Sequence, residues 1–372
     1  MSFTIEPVRN RSDLRRFIFL PEKIHRHHKL WAPPIYGDEW RYFDARRNRS
    51  FTYSDTILAV ARRDRQPVGR IMGIINRRVN EKLNEKTARF GYLETYEDET
   101  ICHRLLNFVE DWARARGMNK LVGPMGFTDQ DAEGFLIEGF DEVPTLATYY
   151  NFPFMIRYLE SAGYTKEIDY VDYTIVVPPE LPKLYQRVLS RLAGQTEFTL
   201  REFTRKKELK PFIRPVLTVL NETFTNLYGY SPLDELEMDE LAAQYLPLLD
   251  PRLVKVVTRD DEVIGFVVGM PNLSDGIRKA RGRLYPFGIF IILNAMKQSR
   301  QLDLLLGGIK EPYRGRGIDV MLGASMMRSA IAGGFKIVDS HHEMETNFKV
   351  RAEMEHVGGK ITKRLRIFRK PL

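Results

Sequence analysis

The chain carries one loop whose residue types suit the binding of phosphate groups. The run Leu304–Leu322 reads LLLGGIKEPYRGRGIDVML, so an apolar strand leads to the loop Arg314–Gly317 and then to a helix that begins at Ile318. Glycines permit a tight turn with several N–H groups aimed to one side, and the positive end of the helix dipole lies behind them. The loop is therefore a candidate pyrophosphate site, although a glycine turn with solvated arginines would have the same sequence.

Residues that could accept a proton follow the next predicted strand, Lys336–Asp339. They precede the predicted helix Phe348–His356 and comprise His341, His342, Glu343 and Glu345, with Asn347 at the helix start. A histidine or carboxylate at a strand end can act as a general base toward an ammonium group. We favour Glu345 or a histidine, chiefly His342, as this base, with Asn347 beside them. The alternative is that Glu345 and Asn347 only cap the helix.

The elements that must position these residues occur twice in the chain. The run Phe3–Ile18 (FTIEPVRNRSDLRRFI) aligns without gaps with Phe198–Ile213 (FTLREFTRKKELKPFI). The run Ile57–Asn76 aligns with Leu253–Asn272, which pairs Asp64 with Asp260, Gly69 with Gly265 and Gly73 with Gly269. Two such matches in the same order, at offsets of 195 and 196 residues, indicate an internal duplication.

Each half has the hydrophobic pattern of an α/β fold with a mixed sheet. The predicted order is a strand and helix, a hairpin, a third strand, a helix, a buried strand, a shorter helix and a last strand. Prolines at 178, 179 and 182 and the helical spacing of apolar residues in Leu181–Leu192 predict a connecting segment. We therefore predict two tandem domains, residues 1–178 and 198–372, joined by a linker helix within 179–197.

The order of strand, Pro-Tyr-Arg-Gly-Arg-Gly, helix and strand, followed by Glu345, Asn347 and Gly358-Gly359, resembles the GNAT acyl-CoA N-acyltransferase superfamily. The resemblance covers the second domain, and with the duplication it implies two tandem GNAT-type domains. It implies acyl-CoA as co-substrate and no metal. It also implies that the cofactor is held by the loop and by the strand before it, at Ile309, Glu311, Arg314, Gly315, Arg316, Gly317 and Ile318. Glu311 is a second candidate base, although an exposed charge at a strand end is the preferred interpretation.

Two positions depart from the pattern of that superfamily. Asp319 stands where a glycine or alanine usually closes the loop, and Met354 stands where a tyrosine often protonates the leaving thiolate. A carboxylate at 319 could weaken phosphate binding if it points inward, although it also suits the first turn of a helix. Met354 cannot donate a proton. These departures favour the alternative that the chain is an inactive GNAT-fold binding or regulatory protein.

The first half serves as an internal comparison for the loop. Alignment places Asp98–Ile101 opposite Arg314–Gly317, so acidic residues replace the phosphate-binding ones and this copy should not bind CoA phosphates in the same way. The segment Gly123–Tyr164 instead combines acidic residues such as Asp129, Asp131 and Glu133 with aromatic ones such as Tyr149 and Tyr150. It would suit a cationic amine on an apolar body, or it could be an ordered covering loop.

Together with WAPP at Trp31–Pro34 and the C-terminal RLRIFRKPL, these features make nearly the whole chain similar to a bacterial family of tandem GNAT-related proteins. We associate that family with lipid-directed N-acylation, including ceramide-forming enzymes. The resemblance implies transfer of an acyl group from acyl-CoA to an amine-bearing small molecule or to a lipid amine such as a sphingoid base.

Composition sets bounds on location and partners. The chain has 372 residues, a net charge of +8 and a single cysteine, Cys102, which excludes an internal disulfide or a multi-cysteine metal site. No apolar signal segment follows Met1, so we expect a cytoplasmic protein. The charge favours anionic partners, but no basic tail or aromatic-basic motif supports nucleic-acid binding. The HRHH run at His25–His28 is interpreted as a solvated basic patch rather than a metal site.

One apolar run is too short to span a membrane but could contact one. Leu284–Met296 follows the basic residues Arg278, Lys279, Arg281 and Arg283. An interfacial anchor, an acyl-chain channel and a buried helix all fit this pattern. We therefore expect that the protein can bind peripherally to the inner face of a membrane.

Overall fold

The computed structural model describes residues 3–145, 148, 150–192, 197–225 and 227–372. Tyr149 of the acidic aromatic segment and residues 193–196 of the predicted linker lie outside the described residues. The fold is mixed α/β and divides into two compact units. The first unit comprises Met1–Val171, Leu273–Met296 and Thr362–Leu372, and the second comprises Asp172–Asn272 and Lys297–Ile361.

The first half of the chain alternates strands and helices as the sequence predicted. Its strands are β1 Thr4–Pro7, β2 Ser54–Arg63, β3 Gln66–Asn76, β4 Thr87–Thr95, β5 Lys120–Gly123, β6 Phe135–Glu138 and β7 Thr165–Val176. Its helices are α1 Arg11–Ile24, α2 Tyr36–Tyr42, α3 Arg77–Leu83, α4 Glu99–Arg114 and α5 Phe154–Ser161. The connecting helix α6 spans Lys183–Leu192.

The second half repeats this order with added helices. Its strands are β8 Thr199–Glu202, β9 Val254–Arg259, β10 Glu262–Pro271, β11 Gln301–Ile309, β12 Ile337–Asp339, β13 Glu343–Met344 and β14 Lys360–Pro371. Its helices are α7 Lys206–Leu209, α8 Ile213–Thr223, α9 Glu235–Tyr245, α10 Ser274–Lys279, α11 Gly288–Gln298, α12 Ile318–Ala332 and α13 Phe348–His356.

The same hairpin turn occurs in both halves. Strands β2 and β3 are joined by Asp64-Arg65, and β9 and β10 by Asp260-Asp261, with φ angles of 48° and 66° at the two central residues of each turn. Left-handed backbone at both central positions is the geometry of a type I′ turn, which matches the twist of antiparallel strands. The predicted alignment of Asp64 with Asp260 therefore extends to the backbone conformation.

Each hairpin carries a glycine where a helix packs closely against it. A Cβ atom on Gly69 would lie 3.0 Å from Ile101 in α4, and one on Gly265 would lie 3.1 Å from Ile318 in α12. Any larger side chain would push the helix away from the sheet. The paired glycines therefore set the position of the N-terminus of α12, where the candidate phosphate loop ends.

The last strand of the second half lies mainly in the first unit, and the end of β7, the last strand of the first half, lies in the second unit. In the first unit, Phe368–Pro371 of β14 pairs with Lys120–Gly123 of β5, and in the second, the end of β7 at Thr174–Val176 pairs with β12. The strand order is β1-β2-β3-β4-β5-β14-β7 in the first unit and β7-β12-β11-β10-β9-β8 in the second. Both units are therefore discontinuous in sequence. Their limits differ from the predicted boundaries at residues 178 and 198, because strand pairing decides to which unit the end of β7 and most of β14 belong. Proline positions do not reveal this pairing.

The histidine run corrects the interpretation made from sequence. His25 is 3% exposed, and its ring stacks on Trp31 and on Phe152 at centroid distances of 4.9 Å each. His28 stacks on Phe152 at 4.6 Å. Burial is the largest cause that lowers the pKa of His25, to about 3, so its ring is neutral at physiological pH. The prediction of a solvated basic patch is wrong for these two rings, because aromatic stacking draws them into the first unit.

Candidate functional site

The candidate phosphate loop lies between β11 and α12 and is open at its centre. A short 3-10 helix, Glu311–Tyr313, leads into it, and Gly315 and Gly317 have φ angles of 71° and 85°. Gly317 is the N-cap of α12 and provides no side-chain cap, so the first-turn N–H groups of the helix are not bonded by their own cap residue. A Cβ atom on Gly315 would meet nothing within 4 Å. The loop therefore has the form of a backbone cradle for an anion.

The two arginines of the loop lie at its rim. Arg314 Nε donates to the carbonyl oxygen of Ile309 at 3.0 Å, which ties the loop to the end of β11. Arg316 Nη2 lies 2.6 Å from Glu197 Oε2, and its guanidinium stacks over Phe198 at 4.9 Å. Both side chains are exposed. In this conformation Glu197 competes with any anion for Arg316.

Strands β11 and β12 separate before the loop begins. Parallel pairing between them covers only Gln301–Asp303 with Ile337–Asp339, whereas β11 pairs with β10 as far as Ile309. The register between β10 and β11 shifts between Val268 and Gly269, where Leu305 is an extra residue of β11. Strand β11 therefore continues beyond the residues that pair with β12. An extended ligand chain could pair with the edge of Leu304–Ile309 that faces away from β10.

The other side of this separation carries a histidine and an aspartate in direct contact. His342 Nδ1 lies 2.8 Å from Asp172 Oδ1, and Asp172 is fully buried within β7. Ser340 aligns the two segments, since its Oγ accepts from Tyr173 N at 2.9 Å and its N–H donates to Tyr173 O at 2.9 Å. Because a carboxylate accepts only, the neutral ring donates from Nδ1, which makes Nε2 its basic nitrogen.

His341 extends this group. It has a φ angle of 59°, which is uncommon for a residue with a side chain, and its ring centroid lies 4.3 Å from that of His342. Ligand-type atoms of Asp172, His341 and His342 lie within 4.8 Å of one another, so these three residues could hold a metal ion. The direct hydrogen bond between His342 and Asp172 accounts for their approach without one.

Glu343 follows the dyad, and its pKa is raised. Burial, and then the charges of Asp172 and Glu353, raise the pKa of Glu343 to about 8. This carboxyl group therefore keeps its proton at neutral pH and can act as a proton donor.

Asp319 lies close to acidic neighbours beyond the loop. Partial burial and then the Asp319 carboxylate raise the pKa of Glu353 to about 7. Burial is the first cause, with Glu353 and Asp319 following, that raises the pKa of Tyr185 to about 12. The Asp319 charge thus acts on α13 and α6, as well as standing in the first turn of α12.

The other residues singled out from sequence have different surroundings. The carbonyl oxygen of Glu345 accepts from Arg351 Nη1 at 2.8 Å. Asn347 is the N-cap residue of α13, but its side chain makes no capping hydrogen bond. Met354 packs against the core cluster that contains Ile175 and Met326. The structure therefore gives His342 a titratable partner, and Glu345 and Asn347 frame the start of α13.

Sequence reasoning missed Asp172. The residue lies in the last predicted strand of the first half, at 170 positions from His342, and no local motif marks it. The available signal is an aspartate between the aromatic and aliphatic residues Val171 and Tyr173 in a predicted strand, because a carboxylate that is buried there requires a partner.

The first unit shows what replaces the cradle in the other copy. Asp98 is the N-cap of α4, accepts from Ile101 N at 3.1 Å and pairs with Arg63 at 2.6 Å. A carboxylate thus occupies the helix N-terminus in this copy. In the acidic segment, Asp131 Oδ2 accepts from Phe127 N at 2.7 Å and from Tyr42 Oη at 2.9 Å, which gives it a structural role in the loop.

Comparison with known proteins finds two relatives whose sequences match nearly the whole chain. No protein-family model matches the chain. It is 26% identical over 378 residues to the bacterial ceramide synthase of Caulobacter vibrioides, across 99% of this chain and 97% of that protein. It is 25% identical to protein YghO of Escherichia coli, across 98% of this chain and 94% of that protein.

Solved structures agree on the fold. A tandem GNAT protein from the clavulanic acid biosynthesis pathway superposes with a TM-score of 0.58 at 11% identity, across 100% of this chain and 98% of that one. A GCN5-related N-acetyltransferase from Sphaerobacter thermophilus gives 0.51 at 15% identity, across 99% and 95%. With the repeated hairpins and the loop before α12, these likenesses show that the chain is a tandem GNAT-fold protein.

Proposed function

We propose that this protein transfers an acyl group from acyl-CoA to an amine. The observation that carries the proposal is the uncapped N-terminus of α12 behind Gly315 and Gly317, with two arginines at its rim. Such a cradle suits a pyrophosphate, and a pantetheine chain could follow the edge of Leu304–Ile309 that does not pair with β12.

The reaction requires a base, an acid and polar groups at the thioester. In the proposed step, the amine nitrogen attacks the thioester carbon, the C–N bond forms and the C–S bond breaks. His342 Nε2 takes the proton from nitrogen, while Asp172 stabilises the resulting imidazolium. Glu343, protonated at neutral pH, donates its proton to the departing thiolate, a role that Met354 cannot fill. Glu345 and Asn347 remain candidates for contact with the acceptor amine.

The acceptor that we propose is a long-chain amine such as a sphingoid base. Its support is the full-length similarity to a protein named bacterial ceramide synthase. The chain length of the acyl-CoA would then set the length of the acyl chain in the amide product.

Calorimetric titration tests the cofactor site directly. The wild-type protein should bind acetyl-CoA or palmitoyl-CoA, and Arg314→Ala should weaken the binding about tenfold because a phosphate contact is lost. A preference for palmitoyl-CoA, with amide formation from sphinganine followed by mass spectrometry, would support the lipid acceptor.

The competing function is a GNAT-fold protein that binds a ligand without turnover. Met354 and Asp319, which depart from the GNAT pattern, favour it. Acyl-CoA binding with no amide formed from any amine would support this alternative, and no binding of either CoA ester would refute the proposed enzyme.

A further inference from the structure

The segment Leu273–Met296 of the first unit projects large apolar side chains into solvent. Tyr285, Phe287 and Phe290 are 86%, 70% and 67% exposed, and Ile291 beside them is 38% exposed. Adjacent exposed residues of this size form a patch rather than the isolated apolar residues that are normal on a surface. We name Tyr285, Phe287, Phe290 and Ile291 the aromatic patch.

The backbone holds the aromatic patch in place. The Tyr36 N–H donates to Gly282 O at 2.9 Å, and the Ile289 N–H donates to Leu284 O at 2.8 Å. Gly282 has a φ angle of 66°, and a Cβ atom there would lie 2.2 Å from Pro34 O. A fixed turn presents its side chains to a partner without first losing conformational entropy.

The opposite face of α11 packs against the first unit. Gly288 and Ile292 are buried, and Ile292 and Ala295 approach Gly276 of α10 so closely that a Cβ atom on Gly276 would lie 2.9 Å from each. The helix is therefore attached through its small and aliphatic residues. Its aromatic side is the one that faces solvent.

The charge around the aromatic patch has one dominant sign. Between residues 273 and 296 the basic residues are Arg278, Lys279, Arg281 and Arg283, and the acidic residue is Asp275. Asp275 pairs with Arg278 and Lys279, and Glu22 pairs with Arg283. The segment still keeps an excess of positive charge next to its apolar side chains.

We propose that the aromatic patch docks this protein on a bilayer that contains anionic lipids. Aromatic rings of this size insert at the boundary between headgroups and acyl chains, and adjacent arginine and lysine side chains bind anionic headgroups. A folded protein partner would not need the excess of positive charge, so a lipid surface fits both features. In the described part of the chain no helix is long and apolar enough to cross a bilayer. The inference does not depend on the proposed function.

Vesicle sedimentation tests the apolar part of this inference. The full-length protein is mixed with vesicles of phosphatidylcholine alone or with about one third phosphatidylglycerol. Phe287→Ser/Phe290→Ser should lower partition to the anionic vesicles at least about tenfold, since two inserted rings are lost. The matched control is Phe348→Ser, because Phe348 is 72% exposed but lies outside the aromatic patch. It should bind as the wild type does.

A second variant tests the charge. Lys279→Gln/Arg281→Asn should lower partition to anionic vesicles about tenfold and leave the weak partition to neutral vesicles unchanged. Asparagine suits position 281, where φ is 51°. Equal binding of wild type and both variants would overturn the proposal. So would a wild-type dimer, detected by light scattering, that the phenylalanine variant dissolves while vesicle binding is absent, because the patch would then join two copies of the chain.

Discussion

His342 Nδ1 lies 2.8 Å from Asp172 Oδ1, although 170 positions separate the two residues in the chain. This contact holds the imidazole in one tautomer and stabilises its protonated form. Asp172→Asn should therefore lower kcat for amide formation by about 100- to 10,000-fold, because an amide can stabilise the other tautomer and offers no charge. Initial-rate assays of amide formation from acyl-CoA and a long-chain amine measure this effect.

The affinity for acyl-CoA separates this role from a structural one. Asp172→Asn should bind the CoA ester as tightly as the wild type in calorimetry, and the pH at which activity rises should shift. His356→Gln is the control, since His356 is exposed on α13 and makes a local contact with Ala352 O. A variant at Asp172 with wild-type kcat would show that the dyad is not the base.

Gly315 allows a test of the cradle with a matched glycine. Gly315 and Gly334 both have a φ angle of 71°, but Gly334 lies at the far end of α12. Alanine at either position should lower the free energy of unfolding by about 1 kcal/mol, because the left-handed conformation penalises a side chain.

Acyl-CoA affinity should distinguish these two variants. Gly315→Ala should lose affinity about tenfold, since its methyl group would stand in the space that the phosphates require, and Gly334→Ala should keep it. Equal affinity for both variants in calorimetry would remove the cradle from the proposed site.

We expect Glu197 to lower the affinity of the candidate loop for acyl-CoA. Its carboxylate lies 2.6 Å from Arg316 and 3.4 Å from Arg259. Glu197→Gln should raise acyl-CoA affinity about three- to tenfold, because Arg316 is released and one negative charge is removed near the phosphates. Titrations at two salt concentrations measure the change, with Asp260→Asn as a control of equal charge. A fall in affinity would mean that Glu197 positions Arg316 instead of competing for it.

The sequence was sufficient for the fold because its signals are local. The hairpins, the glycines that admit α4 and α12, and the limits Ile318–Ala332 of α12 all follow from nearby residues. The candidate loop could be found in the same way, since its glycines and arginines are contiguous.

The partner of His342 depends on long-range pairing and could not be found in this way, although His342 and Glu343 themselves were candidates from the sequence. Asp172 meets His342 only because β7 pairs with β12, and this pairing also assigns the end of β7 to the second unit. Glu343 became a candidate acid through burial and nearby carboxylates, which have no signature in sequence spacing. His25 was misread for the same reason, because its stacking partner Phe152 is distant in the chain.

Glu343 should make the stability of the protein depend on pH. The pKa of Glu343 is about 8 in the folded protein against 4.5 for an ordinary glutamate, so between these values the folded state holds a proton that the unfolded chain has lost. The free energy of unfolding should therefore fall as pH rises through this window, by at most about 5 kcal/mol. Glu343→Gln, which cannot ionise, should lose most of this slope and be the more stable protein above about pH 8. Urea unfolding at about pH 5 and pH 9 measures both effects, with Glu180→Gln as an exposed control. A parallel slope in wild type and Glu343→Gln would show that this carboxyl group is ionised in the folded state, and it would then be unable to donate a proton to the thiolate.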